Sequence, residues 1–395
     1  MAALTYWIWL SSVEAGPRAK AVMLEHFGDP EHAFFAPKGA FEQLDGVNQQ
    51  EAAVFEQRDL SRVDEILSAC EEQDLRVITL QDAAYPQRLR SIYAPPPVLF
   101  VQGKLPELDR EAVFCVIGTR KPSFYGRKMG RDLAWQICRG GGVTVSLLVG
   151  GVDAEATRAS LLAEGSCIGV LGTPHEEAHG ELAEELRTRG ALISEYPPGM
   201  PGQKHFFRER NRIASGISCG VVVVEAPPRS GTIPFAEQAA EQGREIFAVP
   251  GNADAENSRG TLELIQSGAR LVTCGWDVLR DFAPLYPGKL RDPGRGAPTL
   301  PLPKREDEAA APEKNEVDRE KGRDYIDLRE QLADLPVDQL AILTAIDKGS
   351  THVDDIIAKT GLPTWAVLKH MTLLTIRGYV KKDPGNFYRL NLSKK

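Results

Sequence analysis

The chain has 395 residues, a formal net charge of -8 and a 42% share of hydrophobic residues, the profile of a folded protein too long for one ordinary core and expected to carry a main domain with satellites. The excess of carboxylates excludes blanket attraction to polyanions, so affinity for nucleic acid has to come from a local basic surface. No run of about 18 apolar residues occurs, and Tyr6 to Leu10 is too short for a signal-peptide core, so a cytoplasmic protein without a membrane span is expected.

In residues 1–85, Arg18 to Phe27 and Gln49 to Gln73 carry apolar residues at helical spacing, broken around Leu44-Asp45-Gly46-Val47. This reads as a small helical domain similar to SAM and helix-hairpin-helix modules, which serves either as a spacer or as a DNA contact. Arg76 to Thr79 and Val98 to Val101 read as short connector strands around Pro86 and Pro95-Pro96-Pro97. Six cysteines are scattered with no C-x-x-C pair, so buried thiols are expected rather than a metal or redox site.

Residues 86–283 read as the core, and from Ala112 strands and helices alternate. The expected strands are Ala112 to Ile117, Val143 to Val149, Cys167 to Leu171, Ala191 to Ser194, Gly220 to Glu225, Glu245 to Val249 and Arg270 to Thr273. The fold class is therefore α/β, a Rossmann-like, doubly wound, mostly parallel sheet of about seven strands. Glycines and arginines follow each strand, and in a parallel sheet these turns share the carboxyl edge, where ligands bind.

Four groups on that edge suit a phosphate chain. Gly118 precedes Arg120 and Lys121, so both cations reach outward without a bulky neighbour. Arg208, Arg210 and Arg212 flank Asn211; extended, all three share a face, and helical, Arg208 and Arg212 do. Contact with phosphate and pairing with Glu195, Glu209 or Glu225 are both open for this triplet. Phe207 and Tyr196 are placed either to stack on bases or to pack. Ser230 and Gly231 open a helix whose first amides could hold an anion, with Pro234 in its first turn.

The segment His175-Glu176-Glu177-Ala178-His179 spells H-E-x-x-H, but it opens a charged helix with no third ligand or apolar surround, so no metal is assigned. No Ser-His-Asp set or carboxylate pair is assignable, and no cofactor is called for. Residues 284–325 turn to Pro, Gly, Lys and Glu and read as a flexible linker. In residues 326–395, helices at Val337 to Ile346, Val353 to Lys359 and Thr364 to Arg377 precede a hairpin of Tyr379 to Lys382 and Phe387 to Leu390, the pattern of a winged helix. Thr364, Trp365, Lys369 and His370 fall on its recognition helix, which would meet DNA or protein.

The ordered motifs V-I-G-T-R, S-L-L-V-G-G-V-D, L-I-S-E-Y-P-P-G, F-R-E-R-N-R-I, V-V-V-E-A, S-G-T, E-Q-G-R-E-I-F-A-V-P-G and S-R-G resemble the DNA-processing protein A family, also called DprA or Smf. The resemblance covers residues 112–275. It implies a bacterial protein that binds single-stranded DNA, protects incoming DNA in natural transformation and loads the RecA recombinase, working as a dimer. It aligns Arg120 with the arginine of the family's Gly-Ser-Arg motif and Arg210 with the arginine before its Asn-Arg dipeptide. Leu147 and Gly150 stand where that family has glycine and arginine, Thr157 where it has histidine, and Ser166 where a basic residue is common. The leading reading is a non-enzymatic, sequence-independent binder of single strands. The rivals are a nucleotide-cleaving enzyme similar to phosphoribohydrolases, whose catalytic glutamate would fall on Phe235, with Glu237 two positions late, and a divergent relative that does not bind DNA.

Overall fold

The structure is a computed structural model and describes residues 2–294, 337–346, 350–376, 379–383 and 387–390. These fall into two compact units, one within residues 1–303 and one within 304–395.

The first unit begins with five helices, α1 (Leu4–Ser12), α2 (Pro17–Phe27), α3 (Pro30–Phe34), α4 (Gln49–Glu56) and α5 (Val63–Glu72). Proline at the first position starts α2, and Asn48 and Glu51 form a reciprocal capping box on α4. Next come β1 (Arg76–Thr79), α6 (Gln87–Arg90), β2 (Val98–Gly103), β3 (Val113–Ile117), α7 (Phe124–Arg139), β4 (Val143–Ser146), α8 (Val152–Leu162), β5 (Cys167–Val170), α9 (Glu181–Arg189) and β6 (Ala191–Ser194). The unit continues through α10 (Phe206–Glu209), α11 (Asn211–Ile217), β7 (Gly220–Val223), α12 (Thr232–Glu241), β8 (Glu245–Ala248), α13 (Arg259–Gln266), β9 (Arg270–Leu271) and α14 (Gly275–Leu279).

All nine strands form one sheet in the order β1-β2-β6-β5-β4-β3-β7-β8-β9. Strands β3 to β9 are mutually parallel, as expected, while β2 runs antiparallel to β6 and β1 antiparallel to β2. The two strands expected as connectors are therefore part of the sheet. Val98 to Val101 are buried on both faces: Leu99 and Val101 enter the core beneath α11 and α12, whereas Val98 and Phe100 pack under the N-terminal helices with Trp9, Leu10, Met23 and Phe41. The helical segment is thus cemented to the sheet by apolar burial.

In β3, Val113, Cys115 and Ile117 face one core, while Phe114 and Val116 face the other with Leu133 and Ile137 of α7. Alternate residues of an all-apolar strand are consumed by helices on both sides, which is the physical meaning of the uninterrupted valine run in β7. The chain winds outward from β3 to β6, then returns to place β7 beside β3. The switch point, where adjacent loops diverge to opposite faces, therefore lies between β3 and β7.

The linker begins later than its composition suggests. Tyr286 and Leu290 pack against the α7 face, Lys289 pairs with Glu111 at 2.6 Å, and the Arg291 N–H donates to the Gly140 carbonyl at 3.0 Å. The rest of the expected linker, residues 295–325, lies outside the described residues.

The second unit holds helices Val337–Ala345, Val353–Thr360 and Thr364–Ile376 and strands Val380–Asp383 and Phe387–Leu390, with Thr351–His352 completing a small antiparallel sheet. Its core gathers Ile342, Ile346, Ile356, Val367, Met371 and Leu374. Thr364 is exposed and His370 half-buried; the side chains of Trp365 and Lys369 lie outside the described residues. No described helix in either unit is long and apolar enough to cross a membrane.

Candidate nucleic-acid interface

The carboxyl ends of β3, β4, β5 and β7 carry loops that touch one another. The Val152 N–H donates to the Thr119 carbonyl at 3.2 Å and the Thr119 N–H to the Glu225 carbonyl at 2.8 Å, joining the turns after β4, β3 and β7. Gly151 is pressed against the turn after β3, where a Cβ would lie 2.5 Å from the Arg120 Cα, and its φ of 63° favours glycine independently. At Gly118 a Cβ would come within 2.7 Å of a Val152 methyl. Arg120 and Lys121 project from this turn and are exposed. Further along the edge, Gly172 after β5 lies against Phe207, whose ring is 47% exposed, and Arg208 beside it is exposed. Arg120, Lys121, Phe207 and Arg208 thus share one edge of the sheet.

Two of the three expected arginine contacts are internal. Arg210 is only 1% exposed. Its Nη1 donates to the Leu147 carbonyl at 2.7 Å and to the Val170 carbonyl, and its Nε to Asn211 Oδ1 at 3.2 Å. It therefore clamps the ends of β4 and β5 and engages the Oδ1 of half-buried Asn211, another expected contact. Burial lowers the Arg210 guanidinium to about 10, opposed by the charge of Asp153. Asp153 is itself enclosed and accepts from Leu147 N–H at 2.9 Å, Val149 N–H at 3.0 Å and Ser146 Oγ at 3.1 Å. Burial raises the Asp153 carboxyl above its usual range, with those hydrogen bonds and Arg210 pulling it back.

Arg212 forms a two-pronged pair with Glu195, Nη1–Oε1 2.8 Å and Nη2–Oε2 2.6 Å, and its Nε donates to the Ala94 carbonyl at 2.8 Å. Burial works against the Arg212 charge, but Glu195, joined by Tyr196 and Glu209, more than offsets it and holds the guanidinium above its ordinary value. Both corrections have one cause. Arg210 and Arg212 fall on short helical turns whose inner faces abut the sheet, so their charges are spent on carbonyls and a carboxylate before any strand arrives. Tyr196 is likewise internal, stacked on Phe206 at 3.8 Å between centroids.

The helix expected after Ser230-Gly231 is α12. The Ser230 N–H, expected to be free, donates to the Pro227 carbonyl at 3.1 Å, and the Thr232 N–H reaches Ser230 Oγ at 3.3 Å. The Gly231 N–H donates to no acceptor among the described residues, and the position is open. One amide rather than two is available.

The H-E-x-x-H segment is spent on structure. His175–Glu177 forms a 3-10 turn rather than part of α9, and buried His175 gives its Nε2–H to the Phe100 carbonyl at 2.9 Å. Glu176 accepts from Gly199 N–H at 2.5 Å and Glu177 from Gly202 N–H at 2.9 Å. The positions that depart from the resemblance pattern divide similarly. Leu147 and Thr157 are buried, Ser166 is exposed, and Gly150 stands at φ 84° with open space beside it.

Three features escaped the sequence reading. Phe124, 66% exposed, and Tyr125, 42% exposed, open α7 beside Lys121. Glu225, buried at the switch point, accepts from Ser123 N–H at 2.9 Å, from Ser123 Oγ and from Asn257 Nδ2 at 3.1 Å rather than pairing with an arginine. Asp153 anchors the turn after β4. Ser123 ahead of a helix start was the readable signal for the first two; the enclosure of Asp153 left no local signal.

A family model described as DNA recombination-mediator protein A matches residues 76–283, and one described as the DprA winged helix domain matches residues 328–386. The chain is 38% identical over 221 residues to the DNA processing protein DprA of Bacillus subtilis, covering 55% of this chain and 74% of that one. It is 30% identical over 396 residues to the protein Smf of Synechocystis, covering 97% and 98% of the two chains. Among solved structures, the DNA processing protein A of Streptococcus pneumoniae superposes with a TM-score of 0.61 at 32% identity, over 71% of this chain and 99% of that one.

Proposed function

The chain belongs to the DNA processing protein A family, and on that premise we propose that it binds single-stranded DNA without reading its sequence, along the carboxyl edge of its parallel sheet. In the same reading it protects strands taken up in natural transformation and passes them to the RecA recombinase, as a homodimer and without a catalytic step. The carrying observation is the placement of Arg120, Lys121 and Arg208 as exposed cations on one edge, with the exposed Phe207 ring beside them. Cations of this kind hold phosphates by releasing counterions, and an exposed ring stacks on any base. The Gly231 amide at the start of α12 adds a weaker anion contact on the same edge.

Arg210 and Arg212 enter this reading as the frame that holds α10 and the turn after β4 in place, not as contacts, while half-buried Asn211 stays in it as a contact through its amide N–H groups. Strand β9 ends the sheet with Leu271 51% exposed, which suits self-association. The nucleotide-cleaving rival fares worse, because Phe235 is 3% exposed and faces the core while Glu237 is exposed, so neither position supplies a carboxylate to the glycine turn. Titrating a labelled oligo-dT and a matched duplex at two salt concentrations tests the proposal. Preferential, salt-sensitive binding of the single strand is expected, with no adenine released from AMP; absent or salt-insensitive binding contradicts it.

A further inference from the structure

Residues 92–97, Ile92-Tyr93-Ala94-Pro95-Pro96-Pro97, lead into β2. Because β2 is antiparallel to β6, with Phe100 opposite Ser194, they lie beside the finishing end of β6. In the sheet order β2-β6-β5-β4-β3 they therefore carry the carboxyl edge two strands beyond β5, whose following glycine, Gly172, lies against Phe207. The segment is stiff. Its three prolines fix their own φ, the Tyr85 hydroxyl donates to the Pro96 carbonyl at 2.9 Å, and Arg212 Nε donates to the Ala94 carbonyl at 2.8 Å. Ala94 stands at φ 56°, a conformation that a non-glycine residue keeps only where its surroundings impose it. Tyr93 is displayed by this frame, 71% exposed, and its hydroxyl has no partner among the described residues.

A cleft of about 420 Å³ lies where this segment meets the N-terminal helices, within the usual range of about 300–1,000 Å³ for ligand sites. Tyr93 and Pro95 line it from the segment, and Trp7 and Leu24 from α1 and α2. Arg18 of α2 is exposed on the same lining and lies against Gly46, where a Cβ would stand 3.3 Å from its Nε; it has no ion-pair partner among the described residues. Glu25, the carboxylate on the lining, is seven residues further along α2, about 10 Å away at about 1.5 Å per residue. An exposed ring beside an unpaired cation repeats, on the helical segment, the combination of Phe207 with Arg208.

We propose that the single strand runs on past Arg208 into this cleft, where one base stacks on Tyr93 and a phosphate meets Arg18. The inference rests on the single-strand reading above and lengthens its footprint: the helical segment becomes part of the binding surface rather than a spacer. From β3 to β2 the edge spans four strand spacings, about 19 Å at about 4.8 Å each. A stacked strand covers that length with roughly six nucleotides at about 3.4 Å each.

The test uses full-length wild type, Tyr93→Ala, Tyr93→Phe and Arg18→Ala, titrated with labelled oligo-dT from about 4 to about 30 nucleotides, which brackets the roughly 4–16 nucleotides of a single-strand site. Melting temperatures of all four are expected to agree, since both side chains are exposed. On the shortest strands Tyr93→Ala should match wild type; on long strands it should bind roughly five- to 150-fold more weakly, the scale of one lost base stack. Tyr93→Phe, which keeps the ring, should bind as wild type at every length. Arg18→Ala should make the logarithmic salt slope shallower by about 0.7 on long strands alone. A long oligo-dT carrying one 4-thiothymine, placed at each position in turn, should photo-crosslink to Tyr93 from a position near one end. Wild-type affinity in Tyr93→Ala at every length overturns the extension and leaves the single-strand reading standing. A deficit equal at all lengths also overturns it, because that is the signature of a disturbed frame around Arg212 rather than of a distant contact. Should wild type bind no strand of any length, the single-strand reading itself fails and the extension falls with it.

Discussion

Replacing Arg210 with alanine separates a brace from a contact. The side chain is enclosed, with Nη1 on the Leu147 and Val170 carbonyls and its charge beside Asp153. Truncation leaves two carbonyls without a charged donor and a buried carboxylate without its nearest opposite charge. Breaking one side of such a buried arrangement costs about 3–5 kcal/mol, a large part of the roughly 5–15 kcal/mol that holds a domain folded. Arg120→Ala is the control. An exposed side chain removed from a turn shifts stability by no more than about 0.5 kcal/mol, but one fewer neutralised phosphate makes the logarithmic salt dependence of single-strand binding shallower by about 0.7. Urea unfolding of both variants, followed by strand titration under conditions where each is folded, is expected to show Arg210→Ala unfolding early and Arg120→Ala binding weakly at full stability. An Arg210→Ala protein as stable as wild type but deficient in binding would refute the reasoning, because Arg210 would then reach the strand.

Burial holds the His175 imidazole down at about 4, from an ordinary 6.5. The unfolded chain therefore takes up a proton below about 6.5 while the native state does not until about 4, so this stability is complete above that window and is lost as pH falls through it. Urea unfolding at pH 7 and pH 5 should show a wild-type loss exceeding that of His175→Gln by roughly 2 kcal/mol; equal losses would contradict it. Phe207→Ala should weaken strand binding by about 1–3 kcal/mol with an unchanged salt slope, since it removes a ring and not a charge. Gly151→Ala places a Cβ 2.5 Å from the Arg120 Cα at a φ of 63°; the strain of about 1–3 kcal/mol should lower the melting temperature and weaken strand binding together.

The parallel layer could be read from the chain because its strands carry their own evidence. Val113 to Ile117 and Val221 to Val224 are apolar without interruption, and glycine or proline follows close behind. The two antiparallel strands at one end of the sheet could not be placed in it, because β2 pairs with β6, which lies far along the sequence. Charge near Tyr286 and Leu290 hid two side chains that pack on the α7 face. At the candidate site the turn holding Arg120 and Lys121 was visible, since glycine and cations in a turn need no tertiary partner. The fate of Arg210 and Arg212 was not. Whether a guanidinium meets solvent depends on carbonyls of β4 and β5 and on Glu195, and spacing within F-R-E-R-N-R encodes none of these. The H-E-x-x-H segment shows the converse: a pattern complete in sequence is dismantled by a 3-10 turn and three backbone partners.

The most direct measurement is the salt dependence of oligo-dT affinity for wild type and for the triple substitution Arg120→Ala, Lys121→Ala and Arg208→Ala, all three exposed on one edge of the sheet. If that edge grips the strand, the triple variant should fold as wild type does and bind with a logarithmic salt slope shallower by about 2, at roughly 0.7 for each phosphate no longer neutralised. A folded triple variant with the wild-type slope and affinity would show that the strand is held elsewhere.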